Sequence, residues 1–301
     1  MIKKCIALAL AVLMLVHALP AVGESTPLLY RVQDEKGRVL YLLGTIHVGD
    51  QATYPLSDAV ERAFAEAEIL AVEIDLVTAM QDISEMMSYS LAMMYTDPKD
   101  DAQKHLSPAV YALGVESLGV PEMQIKRLRP FAWLSLAQEA LYVKADLSSE
   151  LGVDMRLIER AHEAGKQVDS LESMAEQMDM LMAQSDSFVE FQLEGALRYP
   201  DESAQSLRDL HSAWKAGNRE LLVQLLEEEA EGLPPEWQAE YDAYAKALYN
   251  DRDAAFFQDA VNYLESGKTV LFAVGAAHIV RPGALADRLA QAGYTVNEIG
   301  R

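Results

Sequence analysis

The chain has 301 residues, with 25 Lys and Arg against 47 Asp and Glu and a formal net charge of −22. So acidic a protein repels polyanions, which excludes nucleic acids as partners. Cys5 is the only cysteine, so the chain beyond it has no disulfide, thiolate metal ligand or cysteine nucleophile. No Gly/Ser-rich or Pro-rich linker divides the sequence, and residues 24–301 are predicted to form a single domain.

The first 23 residues have the pattern of a secretory signal peptide. Lys3 and Lys4 precede an unbroken apolar run, Ile6–Val16, which is short for a bilayer span, and Ala21-Val22-Gly23 supplies small residues for a signal peptidase. We expect cleavage after Gly23, with Ala21 as the alternative cut, and a periplasmic or secreted protein without a stable membrane span. An uncleaved membrane anchor is the other interpretation of this segment.

The first β-α-β unit follows the signal. Leu28–Val32 and Val39–Leu43 flank the polar segment Asp34–Gly37 and predict a β-hairpin. An amphipathic helix, Ser57–Glu68, then leads to a third strand, Ile69–Asp75. Strands joined by such a helical crossover run parallel, with a right-handed connection.

A long helical stretch separates this unit from a second one at the other end of the chain. The second unit consists of the strand Thr269–Val274, the helix Gly283–Ala292 and the strand Tyr294–Ile299. The predicted fold is therefore α/β (α+β), with a mixed, partly parallel sheet and a large helical insertion at about 78–265 that has one short strand at Val168–Leu171. The main helices expected in the insertion are Pro130–Val143, Ser149–Ala164, Leu171–Gln184, Phe188–Arg198, Glu202–Ala216, Arg219–Glu229, Glu236–Leu248 and Asp253–Glu265.

Two predicted apolar strands end in the same short sequence motif, Gly-x-x-His. The two copies are Gly44-Thr45-Ile46-His47 and Gly275-Ala276-Ala277-His278. Glu73 lies near the end of the third strand. Because ligand sites in parallel sheets lie at the carboxyl ends of the strands, we expect His47, His278 and Glu73 to meet at one edge. Two imidazoles and a carboxylate commonly hold a divalent metal that keeps positions open for water, and Mn²⁺, Co²⁺ or Zn²⁺ suits them.

Such a metal activates water, so the sequence predicts a hydrolase site. Both histidines bind the metal, or one binds it and the other acts as general base; Glu73 is a ligand or the base. A carboxylate within an apolar strand is costly to bury unpaired, which favours a cation beside Glu73. Asp75, on the same face of the strand, is the reserve candidate.

Other polar residues are weaker candidates. Arg252 could clamp a carboxylate or stabilise an oxyanion, although an ordinary surface arginine is the simpler interpretation. Asp154 and Arg129 stand in apolar surroundings, and either pair with each other or reach the site. The remaining histidines of the predicted helices are interpreted as surface or core residues: His105, His162 and His211.

The sequence resembles the TraB/GumN family, which includes the Tiki-type proteins. The resemblance is carried by the motifs Tyr41–His47, the Glu73 strand, Leu151-Gly152-Val153-Asp154, Leu171-Glu172, Phe272–His278 and the tail from Gly283 to Val296. It implies a mixed α/β core with a helical insertion and, from the Tiki branch, a metal-dependent protease site made of His47, His278 and Glu73. Arg252 matches a family arginine, but Asp253 replaces the usual asparagine, and Val280-Arg281-Pro282 replaces a glycine.

The sequence thus predicts an exported metal-dependent hydrolase that cleaves peptide or amide bonds in a peptide or protein substrate. A non-catalytic periplasmic protein that sequesters a peptide or haem is the main alternative, because the methionine-rich segment Met80–Met94 adapts to apolar ligands. Metal-free esterase chemistry, with histidine as base, and a purely structural role are further alternatives.

Overall fold

The computed structural model describes residues 25–300, whose core is one six-stranded mixed sheet in the order β4-β3-β5-β2-β1-β6. The predicted signal peptide and its cleavage site lie outside the described residues. Within the described part of the chain, no helix combines the length and the hydropathy that a membrane span needs. The strands are β1 (Leu29–Gln33), β2 (Val39–Thr45), β3 (Ile69–Val72), β4 (Gln167–Ser170), β5 (Val270–Gly275) and β6 (Thr295–Glu298).

Strand directions agree with the two predicted β-α-β units. β5 pairs in parallel with both β2 and β3, and β3 pairs in parallel with β4. β1 runs antiparallel to both of its neighbours, β2 and β6, so β6 points the same way as β5. The carboxyl ends of β2, β5 and β3 therefore lie side by side in the middle of one sheet edge.

Helices cover the sheet and fill the segment between β3 and β5. This segment also contains β4, which returns to the sheet as its edge strand. A π-helical segment, Lys246–Asp251, joins α12 to α13. The helices are α1 (Asp58–Glu66), α2 (Leu76–Ala79), α3 (Ile83–Ala92), α4 (Pro108–Ser117), α5 (Glu122–Ile125), α6 (Pro130–Lys144), α7 (Val153–Glu163), α8 (Met174–Leu181), α9 (Asp186–Arg198), α10 (Pro200–Lys215), α11 (Arg219–Glu231), α12 (Pro235–Ala245), α13 (Arg252–Ser266), α14 (Ala277–Val280) and α15 (Leu285–Gln291).

Two of the boundaries that differ from the sequence expectation affect the candidate residues. The helix predicted from Ser149 begins as a 3-10 turn, and α7 starts only at Val153, because Gly152 has an extended backbone (φ −59°, ψ 143°). A Cβ on Gly152 would lie 2.5 Å from the carbonyl oxygen of His47, so no larger residue fits this approach. β3 ends at Val72, earlier than the predicted Asp75, which leaves Glu73 just beyond the strand.

The chain buries two separate main cores. The larger core packs α1, α7, α13 and α15 against the sheet, around fully buried residues such as Leu42, Phe272 and Phe256. The second core lies among α4, α5, α6 and α9, around Trp133. The helical segment thus has apolar packing of its own, while the sheet core holds the strand ends that carry the candidate residues.

Trp214 on α10 holds the end of β2. Its buried indole N–H donates a 2.8 Å hydrogen bond to the carbonyl oxygen of Gly44. On the neighbouring side, a Cβ on Gly44 would lie only 3.1 Å from the Cα of Ala276, so Gly44 allows the segment after β5 to approach β2 closely. Both contacts set the position of the backbone that leads to His47.

Trp214→Phe is expected to destabilise the fold by about 1–3 kcal/mol, because it keeps most of the buried ring but leaves the Gly44 carbonyl without this donor. Denaturant unfolding followed by circular dichroism measures the loss. Trp237→Phe is the matched control, since the Trp237 ring is half-buried in a stack with Phe188 and Phe191. Equal losses in the two variants would contradict the role given to the Trp214 N–H.

Candidate functional site

His47, Glu73 and His278 converge at the carboxyl ends of β2, β3 and β5. A Cβ placed on Gly275 would lie 3.3 Å from Glu73 Oε1, 3.7 Å from His278 Cδ2 and 3.8 Å from His47 Nε2. Three side chains from distant parts of the sequence therefore surround one point. Gly275 leaves this point free, because any side chain there would crowd the Glu73 carboxylate.

The Glu73 carboxylate is buried and fully engaged. Its Oε1 accepts a 2.7 Å hydrogen bond from the backbone N–H of Gly275, and its Oε2 accepts from Arg252 Nη2 at 2.6 Å and from Gln177 Nε2 at 3.3 Å. Burial by itself raises the pKa of Glu73, but the positive charges of His47 and Arg252 together with the Gly275 N–H lower that pKa to about 2. Glu73 is therefore an anion throughout the neutral range.

His278 is held between two groups of α13. Its Nδ1 lies 2.7 Å from Asp253 Oδ1, and its Nε2 lies 2.9 Å from Arg252 Nη1. Because a guanidinium can only donate, Nε2 accepts and the ring proton is on Nδ1, donated to Asp253. The Asp253 side chain is only 2% exposed, with Arg281 Nη1 4.0 Å from its other oxygen. These contacts hold the His278 ring in one orientation and one tautomer.

Arg252 is the centre of this network, and all five of its N–H groups have acceptors. Its Nη2 donates to Glu73 and Glu172, its Nε donates to Glu172 Oε2 at 3.0 Å, and its Nη1 donates to His278 and to the carbonyl of Leu248 at 3.2 Å. Burial lowers the pKa of Arg252, but the two carboxylates outweigh it and raise the pKa above the ordinary value. The expected clamp on a substrate or an oxyanion therefore has no free N–H in this arrangement.

The side chain of His47 is the solvent-exposed one among the three converging side chains. Its Nδ1 lies 3.0 Å from Asp154 Oδ2, and 62% of its side chain is exposed. Its Nε2 forms no hydrogen bond with any residue from 25 to 300. The negative charge of Asp154 is the main cause that raises the pKa of His47 to about 9, and the charge of Glu73 adds to it.

A cleft of about 430 Å³ opens beside His47. An apolar groove of similar volume, the methionine groove (Met80, Ile83, Met86, Met87 and Ser90), adjoins it, and Met80 lines both. Met80, Ile83 and Met87 are largely exposed. Residues lining the cleft are Thr45, His47, Val72, Glu73, Ile74, Leu76, Met80, Ser149, Glu150, Asp154, Met155, Gln177 and Ala273.

The family model described as "TraB/PrgY/gumN family" matches residues 28–298. The chain belongs to the TraB/PrgY/gumN family. Among its relatives is the uncharacterized protein YbaP of Escherichia coli (strain K12), which is 23% identical over 259 residues, or 84% of this chain and 88% of YbaP. No solved structure matches the chain significantly.

Three other candidate residues of this TraB/PrgY/gumN protein remain. Asp75 and Arg129 have partners elsewhere, and Asp154 contacts the site through His47. Asp75 caps α2 through Thr78 and pairs with His162 Nε2 at 2.8 Å, so its carboxylate is used structurally. Asp154 reaches the site through His47. Arg129 instead donates to the carbonyl of Met94 and lies over the ring of Tyr95.

The other two histidines also have structural partners. His105 pairs with Asp100 and Asp186 in the helical segment. His211 is buried, with Nε2 2.9 Å from Thr53 Oγ1. Burial lowers its pKa. Both side chains therefore belong to the packing of the fold.

Sequence reasoning missed three members of the site: Glu172, Asp253 and Gln177. Glu172 follows β4, so the same rule that selected Glu73 could have selected it once β4 was placed beside β3. Asp253 adjoins Arg252 at the start of α13. Gln177, on α8, donates to Glu73 and to Glu172 at 2.9 Å, and no motif marks it.

The predicted metal ligands have suitable donor atoms, but their arrangement does not fit a metal. Glu73 Oε2 and His278 Nε2 both accept from Arg252, and Glu73 Oε1 accepts from Gly275. In the described part of the chain, no three His, Cys, Asp or Glu side chains form a group that could hold a metal ion. A guanidinium lies where the sequence predicted a divalent cation, and metal binding stays a prediction.

Asp154→Asn is expected to move the pKa of His47 from about 9 toward its ordinary 6.5, because it removes the charge that raises it. The raised pKa means that the folded state holds this proton more tightly than the unfolded state. The ion pair therefore stabilises the fold fully below pH 6.5, and this contribution disappears as the pH rises through about 9. NMR titration of the His47 ring measures the shift.

The matched control is Asp201→Asn, since Asp201 is exposed and pairs only with Lys144. It should leave the His47 titration unchanged. An Asp154→Asn protein in which His47 still titrates near pH 9 would contradict the role given to Asp154.

Proposed function

We propose that the protein is a hydrolase that cleaves peptide or amide bonds at the site formed by His47, Glu73, His278 and Arg252. The observation that carries the proposal is His47, which lines the cleft, with its Nδ1 held by Asp154 and its Nε2 directed toward the point beside Gly275 that Glu73 and His278 also face. A histidine that is oriented by a carboxylate and has a free ring nitrogen is the usual arrangement of a general base.

Each residue of the site has a separate role in the proposed reaction. In its neutral form, which becomes more populated as the pH rises toward about 9, the His47 ring takes a proton at Nε2 from a water molecule as that water attacks the scissile carbonyl, and returns it to the leaving nitrogen. Asp154 holds the ring tautomer and stabilises the imidazolium that forms. Glu73, anionic and fixed by Gly275 and Arg252, adds negative charge beside the same ring. His278 and Arg252 keep Glu73 in place.

The cleft supports a peptide or protein as substrate. Its polar lining is acidic, with Glu73, Glu150 and Asp154 and no Lys or Arg, so an anionic substrate is disfavoured. The methionine groove next to it can accommodate an apolar side chain of varied shape. A neutral or cationic peptide with an apolar residue fits both surfaces.

Metal dependence, with Mn²⁺, Co²⁺ or Zn²⁺, is the competing form of this proposal, and it rests on the donor types of His47, Glu73 and His278. When bound, a metal of this kind would lower the pKa of its water and polarise the carbonyl. The proposed reaction uses only side chains of the protein, because Arg252 already engages two of the three donor groups, those of Glu73 and His278.

A non-catalytic binding protein is the second candidate, and the exposed methionine groove favours it. Such a protein would hold a peptide or haem against Met80 and Ile83 without turnover. Haem binding would produce a Soret band on reconstitution, and peptide binding would persist in His47→Ala. The same variant abolishes cleavage under the hydrolase proposal.

His47→Ala is expected to reduce cleavage of a synthetic peptide library by at least about 100-fold, because it removes the general base. Mass spectrometry of the products measures the rate and shows which bonds are cut. His105→Ala is the control, since His105 lies outside the site between Asp100 and Asp186, and it should keep full activity. Equal activity of His47→Ala and the original protein would refute the assignment.

Metal dependence is tested in the same assay. Each protein is measured with EDTA and with added Mn²⁺, Co²⁺ or Zn²⁺. Activity that is lost in EDTA and restored by one of these ions supports the metal proposal, and activity that EDTA leaves unchanged contradicts it.

We further propose that the chain is exported and cut after Gly23. Periplasmic or secreted location follows from the signal pattern of residues 1–23. Expression of the full chain in a bacterium should give a processed protein outside the cytoplasm that begins at Glu24, as read by N-terminal sequencing. Full-length protein that still begins at Met1 would contradict export by this route.

A further inference from the structure

We propose that Arg252 is the resident cation of the site, and that its guanidinium keeps divalent metals away from the groups predicted to bind them. The inference deepens the proposed function, and rests on it for its catalytic meaning. Its test, however, measures metal binding and needs no turnover.

The contacts of Arg252 leave no room for a second cation at Glu73 and His278. Five N–H groups meet five acceptor positions, which belong to Glu73, Glu172, His278 and the Leu248 carbonyl. A metal ion that bound His278 Nε2 would have to take the lone pair that now accepts from Nη1. It would also stand against a fixed positive charge, since arginine does not deprotonate in proteins.

Residues of the π-helical segment and of α13 also fix the position of the guanidinium. The π-helical segment Lys246–Asp251 precedes Arg252 directly and supplies the Leu248 carbonyl, while the Phe256 ring lies 5.3 Å from the guanidinium carbon. The Arg252 side chain is 11% exposed. Moving it aside would leave Glu73 and Glu172 as neighbouring buried carboxylates without their counter-ion.

The acceptors around Arg252 define a ligand set that differs from the one predicted from the sequence. Glu73 Oε2, Glu172 Oε2 and His278 Nε2 each lie within 3.0 Å of a guanidinium nitrogen. One imidazole and two carboxylates are suitable ligands for Zn²⁺ or Mn²⁺. His47 forms no hydrogen bond with the guanidinium and pairs with Asp154 instead. Removing the arginine should therefore leave Glu73, Glu172 and His278 free to turn toward a single ion in the vacated space and create a metal site.

The experiment is calorimetric titration of the untagged full chain with ZnCl₂ and, separately, MnCl₂. We expect no stoichiometric binding to the unchanged protein, and one Zn²⁺ per chain for Arg252→Ala, with a Kd at least about 100-fold lower. Arg252→Lys is the matched control, because it keeps a cation in the same place and should gain no site.

Three second substitutions locate the ligands. In the Arg252→Ala background, His278→Gln or Glu172→Gln should remove the gained Zn²⁺ site, whereas His47→Ala should leave it. Loss through His47→Ala instead would overturn the assigned ligand set. Stoichiometric binding by the unchanged protein that His278→Gln abolishes would overturn the proposal altogether.

The stability of the variant gives an independent readout. Without Arg252 the two carboxylates repel each other, so Zn²⁺ should raise the melting temperature of Arg252→Ala and leave that of the unchanged protein where it is. A variant that neither folds nor gains stability with Zn²⁺ or Mn²⁺ contradicts the proposal. Absence of peptide cleavage would count against the proposed hydrolase. It would not affect the metal-binding results, which test the role of Arg252 separately.

Discussion

The buried ion network of Arg252 is the constraint on which the rest of the site depends. One guanidinium holds Glu73 from β3, Glu172 from the end of β4 and His278 from the end of β5. Removing one partner of such a network leaves an uncompensated buried charge, which costs about 3–5 kcal/mol. The three strand ends can therefore keep their polar side chains in the core only because α13 delivers this cation between them.

The network divides the site into a closed half and an open half. In the closed half, His278 is fixed by Asp253 and Arg252, and every donor of the guanidinium is used. In the open half, His47 has a carboxylate on one ring nitrogen and the cleft on the other. In the proposed hydrolase, proton transfer is therefore assigned to His47, and the closed half supplies the charge and the rigidity beside it.

Much of this arrangement was accessible from the sequence, because the carboxyl-end rule depends only on strand order and direction. Once the two β-α-β units are recognised, His47, Glu73 and His278 must approach one another, and the family follows from the same motifs. Glu172 and Asp253 were missed for a physical reason. Their roles arise from where α13 packs against the sheet, which is a tertiary contact that no local periodicity encodes. The same contact places a guanidinium between Glu73 and His278, two of the predicted metal ligands.

The most direct test of the account is a crystal structure of the protein grown or soaked with Zn²⁺ at neutral pH. The account predicts that Nη1 and Nη2 of Arg252 remain within hydrogen-bonding distance of His278 Nε2 and Glu73 Oε2, with no metal between these groups. A zinc ion bound by His47, Glu73 and His278, with the Arg252 side chain turned away, would contradict it.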